Sequence, residues 1–123
     1  MAKYVQWTTH KGKSILFVNC AGLKEAEYLK ALQEFQQAML QERSAPLVLI
    51  DLTRTQITTA TMNRAKELTS AAQAAGVPFG PNAVVGMSKV MKSVATLSAR
   101  QTHFADTVEE GKEWLVLQDE KRS

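Results

Sequence analysis

The chain has 123 residues, 45% of them hydrophobic and 22% charged, which gives room for one domain with one core. A single cysteine, Cys20, excludes an internal disulfide and points to a reducing compartment. The net charge of +3 comes from basic residues scattered among nearly as many acids. Nucleic-acid binders concentrate charge on one stripe with aromatics between, so no nucleic-acid partner is expected.

The segment Met1–Ser14 lacks the apolar core of a signal peptide, and no apolar run approaches the roughly 20 residues needed to cross a bilayer. No membrane span and a cytoplasmic location are expected.

In chain order, Tyr4–Thr8 and Ser14–Val18 read as short strands around His10-Lys11-Gly12-Lys13, whose glycine suits a tight reversal. From Lys24 to about Arg43 the pattern turns helical. Ala26, Leu29, Leu32, Phe35 and Met39 recur on one face, while Glu25, Lys30, Glu34 and Gln37 take the other. Ser44-Ala45-Pro46 stops that helix, and Leu47–Ile50 follows as a strand covered on both faces.

Asp51–Thr59 is a polar loop, after which a second helix runs from about Ala60 to Ala75, with Met62, Ala65, Leu68 and Ala72 inward and Gly76 at its end. Ala83–Gly86 reads as a strand, and Ser88 caps a third helix carrying Val90, Met91, Val94 and Leu97. His103–Ala105 makes the last strand. Overlapping capping boxes, Asp106 with Glu109 and Thr107 with Glu110, open a fourth helix that buries Val108, Trp114 and Leu115. Asp119–Ser123 is expected to fray. The order implies a single α/β domain with a mixed, mostly parallel five-stranded sheet, four helices and one antiparallel edge strand.

In such sheets, sites gather beyond the carboxyl ends of the parallel strands. The longest loop there, Asp51–Thr59, holds four threonines beside an acid and ends at a helix N-terminus, where free N–H groups favour negative charge. Thr58 or Thr59 can equally serve as a plain N-cap, worth about 1 kcal/mol.

The element order, the apolar strand ending in Asp51-Leu52-Thr53 and the Thr58-Thr59 pair opening the next helix resemble the STAS domain. The closing Phe104-Ala105-Asp106, Glu109-Glu110 and Trp114-Leu115 resemble its SpoIIAA-like branch. Anti-sigma-factor antagonists of that family carry Asp-Leu-Ser and then Asp-Ser-Ser-Gly, with the second serine of the pair as phosphate acceptor. By that resemblance Asp51-Leu52-Thr53 matches the first part and Thr58 falls on the acceptor. Ile57 stands where the acid should be, and Ala60 where the glycine should be. The resemblance implies a regulatory module that contacts a protein partner through Asp51, Thr53, Thr58 and Thr59. SpoIIAA-like relatives are also likened to lipid-binding Sec14-type domains, which implies a lipid-like or other small apolar ligand as the alternative.

Other signals are weaker. A response-regulator receiver would need an acidic pair after its first strand to hold Mg²⁺, and the first strands here end in Thr8-Thr9 and Asn19-Cys20. Cys20 and His103 should lie at opposite ends of their strands, so they make no nucleophile and base, and Cys20 reads as a small buried hydrophobe. His10, in the hairpin turn, should be solvated. Met62, Met87 and Met91 fall near the carboxyl end of the sheet, where flexible thioethers can line an apolar pocket or simply fill core. With no metal-ligand spacing, phosphate loop or nucleophile elbow in the sequence, neither enzymatic activity nor a cofactor is expected, and a homodimer is left open. An exposed polar loop without a cavity would favour the interaction module, and a well-formed apolar pocket the small-ligand binder.

Overall fold

The computed structural model describes residues 3–42, 44–78, 80–86 and 102–122. Strands β1 (Val5–His10) and β2 (Lys13–Asn19) form the opening hairpin. Only Lys11 and Gly12 join them, with φ of 50° and 79°. Positive φ at both central residues is the type I′ geometry, whose twist matches that of paired strands.

Helix α1 (Glu25–Leu40), strand β3 (Leu47–Asp51), helix α2 (Thr59–Ala74), strand β4 (Asn82–Val85), strand β5 (Thr102–Ala105) and helix α3 (Val108–Arg122) complete the described elements. The strands lie in the spatial order β1-β2-β3-β4-β5. β1 runs antiparallel to β2, and every later neighbour is parallel. The expected mixed sheet with an antiparallel edge is therefore present. Three helices occur among the described residues, not four. The helix expected to open at Ser88 and carry Val90, Met91, Val94 and Leu97 lies outside them.

Two apolar layers hold the sheet. On one face Leu16, Val18, Val48 and Val84 pack with Tyr28, Ala31 and Met39 of α1. On the other, Ile15, Leu47, Leu49, Ala83 and Ala105 pack with Leu115 of α3. β3 contributes to both, which is why its sequence is a continuous apolar run. Leu49 is 0% exposed. α3 comes close because Gly111 has no side chain: a Cβ there would stand 2.7 Å from Leu49 Cδ1.

Three expectations change in detail. The buried stripe of α1 is Tyr28, Ala31 and Met39, whereas Ala26 is exposed, because the helix is rotated to bring Tyr28 inward. Glu34 does not simply face water: its Oε1 accepts from the backbone N–H groups of Tyr4 and Val5 at 2.8 and 2.9 Å. The charged end stays helical to Arg122 instead of fraying at Asp119, since Asp119 pairs with Lys13 Nζ at 3.1 Å and ties the last turns to β2. No described helix is long and apolar enough to cross a membrane.

Candidate functional site

The parallel register places Asn19 beside Asp51, and Asp51 beside Val85, so β2, β3 and β4 deliver their following loops to one edge of the molecule. The loops after β2 and β3 are joined there by hydrogen bonds. Gly22 N–H donates to the Thr53 carbonyl at 2.8 Å, and Gln56 N–H to the Leu23 carbonyl at 2.8 Å. Thr55 Oγ1 donates to the Cys20 carbonyl at 2.6 Å, and Glu25 N–H to Gln56 Oε1 at 2.9 Å. Backbone that would otherwise need water is thereby satisfied between two loops, and they form a single preset surface.

Within it, Asp51 Oδ1 accepts from Thr53 N–H at 2.9 Å, the local bond that bends an Asx turn. Arg54 sits at φ 57° at the apex, and both Thr53 and Arg54 are exposed. Gly86 packs directly against Thr53. A Cβ there would meet Thr53 Cα, N and Oγ1 at 2.6–2.7 Å, and its φ of 88° is one that side-chain-bearing residues rarely adopt.

Thr58 is the N-cap of α2. Its Oγ1 accepts from Thr61 N–H at 3.2 Å, while Thr58 N–H donates to Thr61 Oγ1 at 2.8 Å. This is a capping box with threonine in the place usual for Glu or Gln. The Thr58 hydroxyl also donates to Glu25 Oε1 at 3.3 Å. Thr59, the first helical residue, is exposed. Asp51, Thr53, Thr58 and Thr59 are thus gathered at one edge, with two of them pointing into local bonds.

Cys20 lies just under this surface, 1% exposed, and burial with the nearby charges of Asp51 and Glu34 pushes its thiol up to about 12. His103 is on the opposite sheet face, stacked on Trp114 at 4.9 Å between ring centroids and 3.4 Å from Glu110. Two strands and the sheet itself separate the pair. His10 is not solvated: its ring lies 2.7 Å from Glu113 Oε1 and is mostly buried. Among the described residues, no group of three or more His, Cys, Asp or Glu side chains could hold a metal ion.

A cavity of about 170 Å³ lies between α1, α2 and the sheet, lined mainly by Val18, Leu32, Phe35, Ile50 and Leu68, with Cys20 and Tyr28 on its wall. Met62 is half-buried and does not line it, and Met87 and Met91 lie outside the described residues. Burial pushes the Tyr28 hydroxyl up to about 12.

Among solved structures, this chain is similar to an uncharacterised protein from the DUF3478 family of Shewanella loihica PV-4, which has a SpoIIAA-like fold. The two agree with a TM-score of 0.66 at 16% identity over 90% of this chain and 91% of that one. The fold is SpoIIAA-like. No family model and no curated protein matches the sequence. In this SpoIIAA-like chain the edge built from Asp51–Thr59 is the end of the sheet at which open α/β folds carry their sites. Local patterning pointed to Asp51 and Thr58 there. It did not point to Thr55, Gln56 or Glu25, whose partners are more than 30 residues away.

Proposed function

We propose that this chain is a non-catalytic regulatory module that binds a protein partner through the Asp51–Thr59 loop and the first turn of α2. The observation that carries this reading is the hydrogen-bonded joining of the two loops. A surface already held in one conformation loses less side-chain and loop entropy on binding than a mobile one. Its exposed groups, Thr53, Arg54 and Thr59, are hydrogen-bonding and cationic, suited to a polar contact face on a partner.

The non-catalytic part rests on Cys20 and His103. A thiol pushed up to about 12 carries almost no thiolate at neutral pH, and thiolate is the nucleophilic form. Thr58 acts in this proposal as a cap and not as a switch. Its hydroxyl is engaged as donor and acceptor, and the Glu25 carboxylate beside it would repel a phosphate.

The test is binding by wild type and by an Arg54→Glu, Thr59→Glu variant, with unfolding measured alongside. Loss of partner binding at unchanged stability supports the module; equal binding by both proteins rejects it.

The apolar cavity favours a second reading, a small apolar ligand. At about 170 Å³ it is well below the roughly 300–1,000 Å³ of drug-sized pockets, and close to the about 150 Å³ that takes benzene or xenon in an engineered core. The ligand class is therefore a compact ring or short branched chain, not a whole lipid. Chemical-shift changes of Phe35, Leu68 and Ile50 on adding benzene would support this reading, and no change up to saturation would remove it.

A further inference from the structure

β1 is an edge strand, and among the described residues no strand pairs with its outer side. The type I′ turn makes His10 and Lys13 a hydrogen-bonded pair, so by alternation Thr8–Ile15 and Gln6–Phe17 are hydrogen-bonded too. The backbone groups of Val5, Trp7 and Thr9 consequently point away from the sheet. Glu34 already takes the N–H groups of Tyr4 and Val5. What remains is the carbonyl of Val5, with one donor and one acceptor on each of Trp7 and Thr9.

We infer that this edge pairs with a second copy of itself, antiparallel, with Trp7 opposite Thr9 of the other copy. That register uses both donors and both acceptors of Trp7 and Thr9, puts the twofold axis at Thr8 and leaves the Glu34 bonds intact, with the Val5 carbonyl left to solvent. An antiparallel strand offset by two residues either way would leave free groups unpaired or compete with Glu34 for Val5.

Three further observations favour the second copy. Edge strands are ordinarily guarded by charge, proline or shortness. β1 is six residues with no proline, lysine or acid, whereas β5 at the other edge has only four. Trp7 is 52% exposed and stands on the α1 face, opposite buried Leu16. In the proposed register the two indoles are diagonal neighbours across the axis, within the about 7–8 Å reach of such pairs.

The third observation is a cleft of about 570 Å³ above β1, between Trp7 and the outer wall of α1. Lys30, Gln33, Glu34, Gln37, Ala38 and Gln41 line that wall, with Gln37 and Gln41, one helical turn apart, at its C-terminal end. α1 runs in the same direction as β1, with Glu34 level with Val5. Three strand residues on, at about 3.3 Å each, the wall beside the axis is the end of α1 near Gln41. Carboxamides both donate and accept, so this end of the wall, away from Lys30 and Glu34, can face its own copy without a charge clash. An unrelated extended peptide would pair with the same backbone groups but would bring no second wall.

Sedimentation velocity on wild type, Thr9→Pro and Trp7→Lys over a wide concentration range tests this. Proline at Thr9 removes an outward N–H and leaves the β1–β2 bonds alone, a position an edge strand tolerates. The expected result is a concentration-dependent dimer for wild type, with a blue shift of tryptophan emission and slowed exchange of the Trp7 and Thr9 amides as it forms. Both variants should be monomers that unfold like wild type. Trp7→Lys keeps the test alive should Thr9→Pro fold poorly. Wild type that stays monomeric at every concentration, including one that captures a foreign strand, overturns the proposal. So does a dimer that survives in either folded variant.

Discussion

His10 Nε2 lies 2.7 Å from Glu113 Oε1, joining the end of β1 to a helix residue 103 positions further along the chain. The other oxygen of Glu113 accepts from Lys11 Nζ at 2.7 Å, and Lys13 reaches Asp119 on the same helix. Glu113 thus pins the β1 side of the hairpin turn to α3 and Asp119 the β2 side, and with them the edge strand to the rest of the sheet.

That arrangement fixes a pH dependence. Hydrogen bonds from Lys11 first and His10 second hold the Glu113 carboxyl below its ordinary range. A depressed carboxylate adds stability that is present above its unfolded pKa of about 4.3 and is lost as pH falls through the lower folded value. The Lys11 ammonium, raised by the same Glu113, adds stability present below about 10.4 and lost as pH rises through its higher folded value. Carbon-detected NMR titration should find Glu113 ionising below free glutamate. Ionisation at or above the ordinary value would mean the pins are absent in solution.

The core at β3 predicts a large effect from one truncation. Leu49 is buried between both sheet neighbours and α3, so Leu49→Ala should cost about 2–5 kcal/mol in urea unfolding. Gly111→Ala crowds the same side chain and should cost about 1–3 kcal/mol. Because the two residues touch, the double variant should lose less than the sum. Strict additivity would show that α3 does not press on Leu49.

Cys20 and Tyr28 both resist ionisation in the folded chain, each pushed up to about 12, chiefly by burial. Groups raised in this way contribute stability that is complete below their unfolded values and is lost as pH rises above them. Stability should therefore begin to fall near pH about 8.5 through Cys20, and more steeply above about 10 through Tyr28. Cys20→Ala should remove the first part alone. Native protein should resist thiol reagents at neutral pH and react only on unfolding; rapid labelling of the folded chain would contradict this.

Thr58 separates capping from switching. Thr58→Ala should cost about 1 kcal/mol, the ordinary worth of an N-cap, and keep partner binding. Thr58→Glu should bind no worse than Thr58→Ala. Selective loss of binding in Thr58→Glu, together with phosphate found on Thr58 from its native cell, would make it a switch after all.

How much of this the sequence carried depended on distance along the chain. β3 and the hairpin were readable because a four-residue apolar run and a glycine turn are local signals. A threonine cap was readable for the same reason, and the structure assigns it to Thr58 and not Thr59. The rotation of α1 was not, because Tyr28 counts as inward or outward depending on what the helix meets. Asp119 looked like part of a frayed tail until Lys13, distant in sequence, supplied its partner. The loop edge follows the same rule: Asp51 and Thr58 stood out by spacing, while Thr55, Gln56 and Glu25 act across a gap that no local pattern bridges. His10 was placed in water because its turn is polar, and Glu113 lies too far along the chain to be foreseen.

Gly86 is the residue whose close approach to Thr53 most directly holds the joined loop surface in place. Gly86→Ala would drive a methyl group into the backbone and hydroxyl of Thr53 and shift the loop without altering Arg54 or Thr59. The deciding measurement is partner affinity, by titration calorimetry, for wild type, Gly86→Ala and the Arg54→Glu, Thr59→Glu variant, with Thr9→Pro as a control at the far edge of the sheet. Thr9→Pro should bind like wild type while both loop variants lose at least tenfold in affinity, about 1.4 kcal/mol, with the double variant still fully folded. Undiminished binding by a folded Arg54→Glu, Thr59→Glu protein would contradict that expectation.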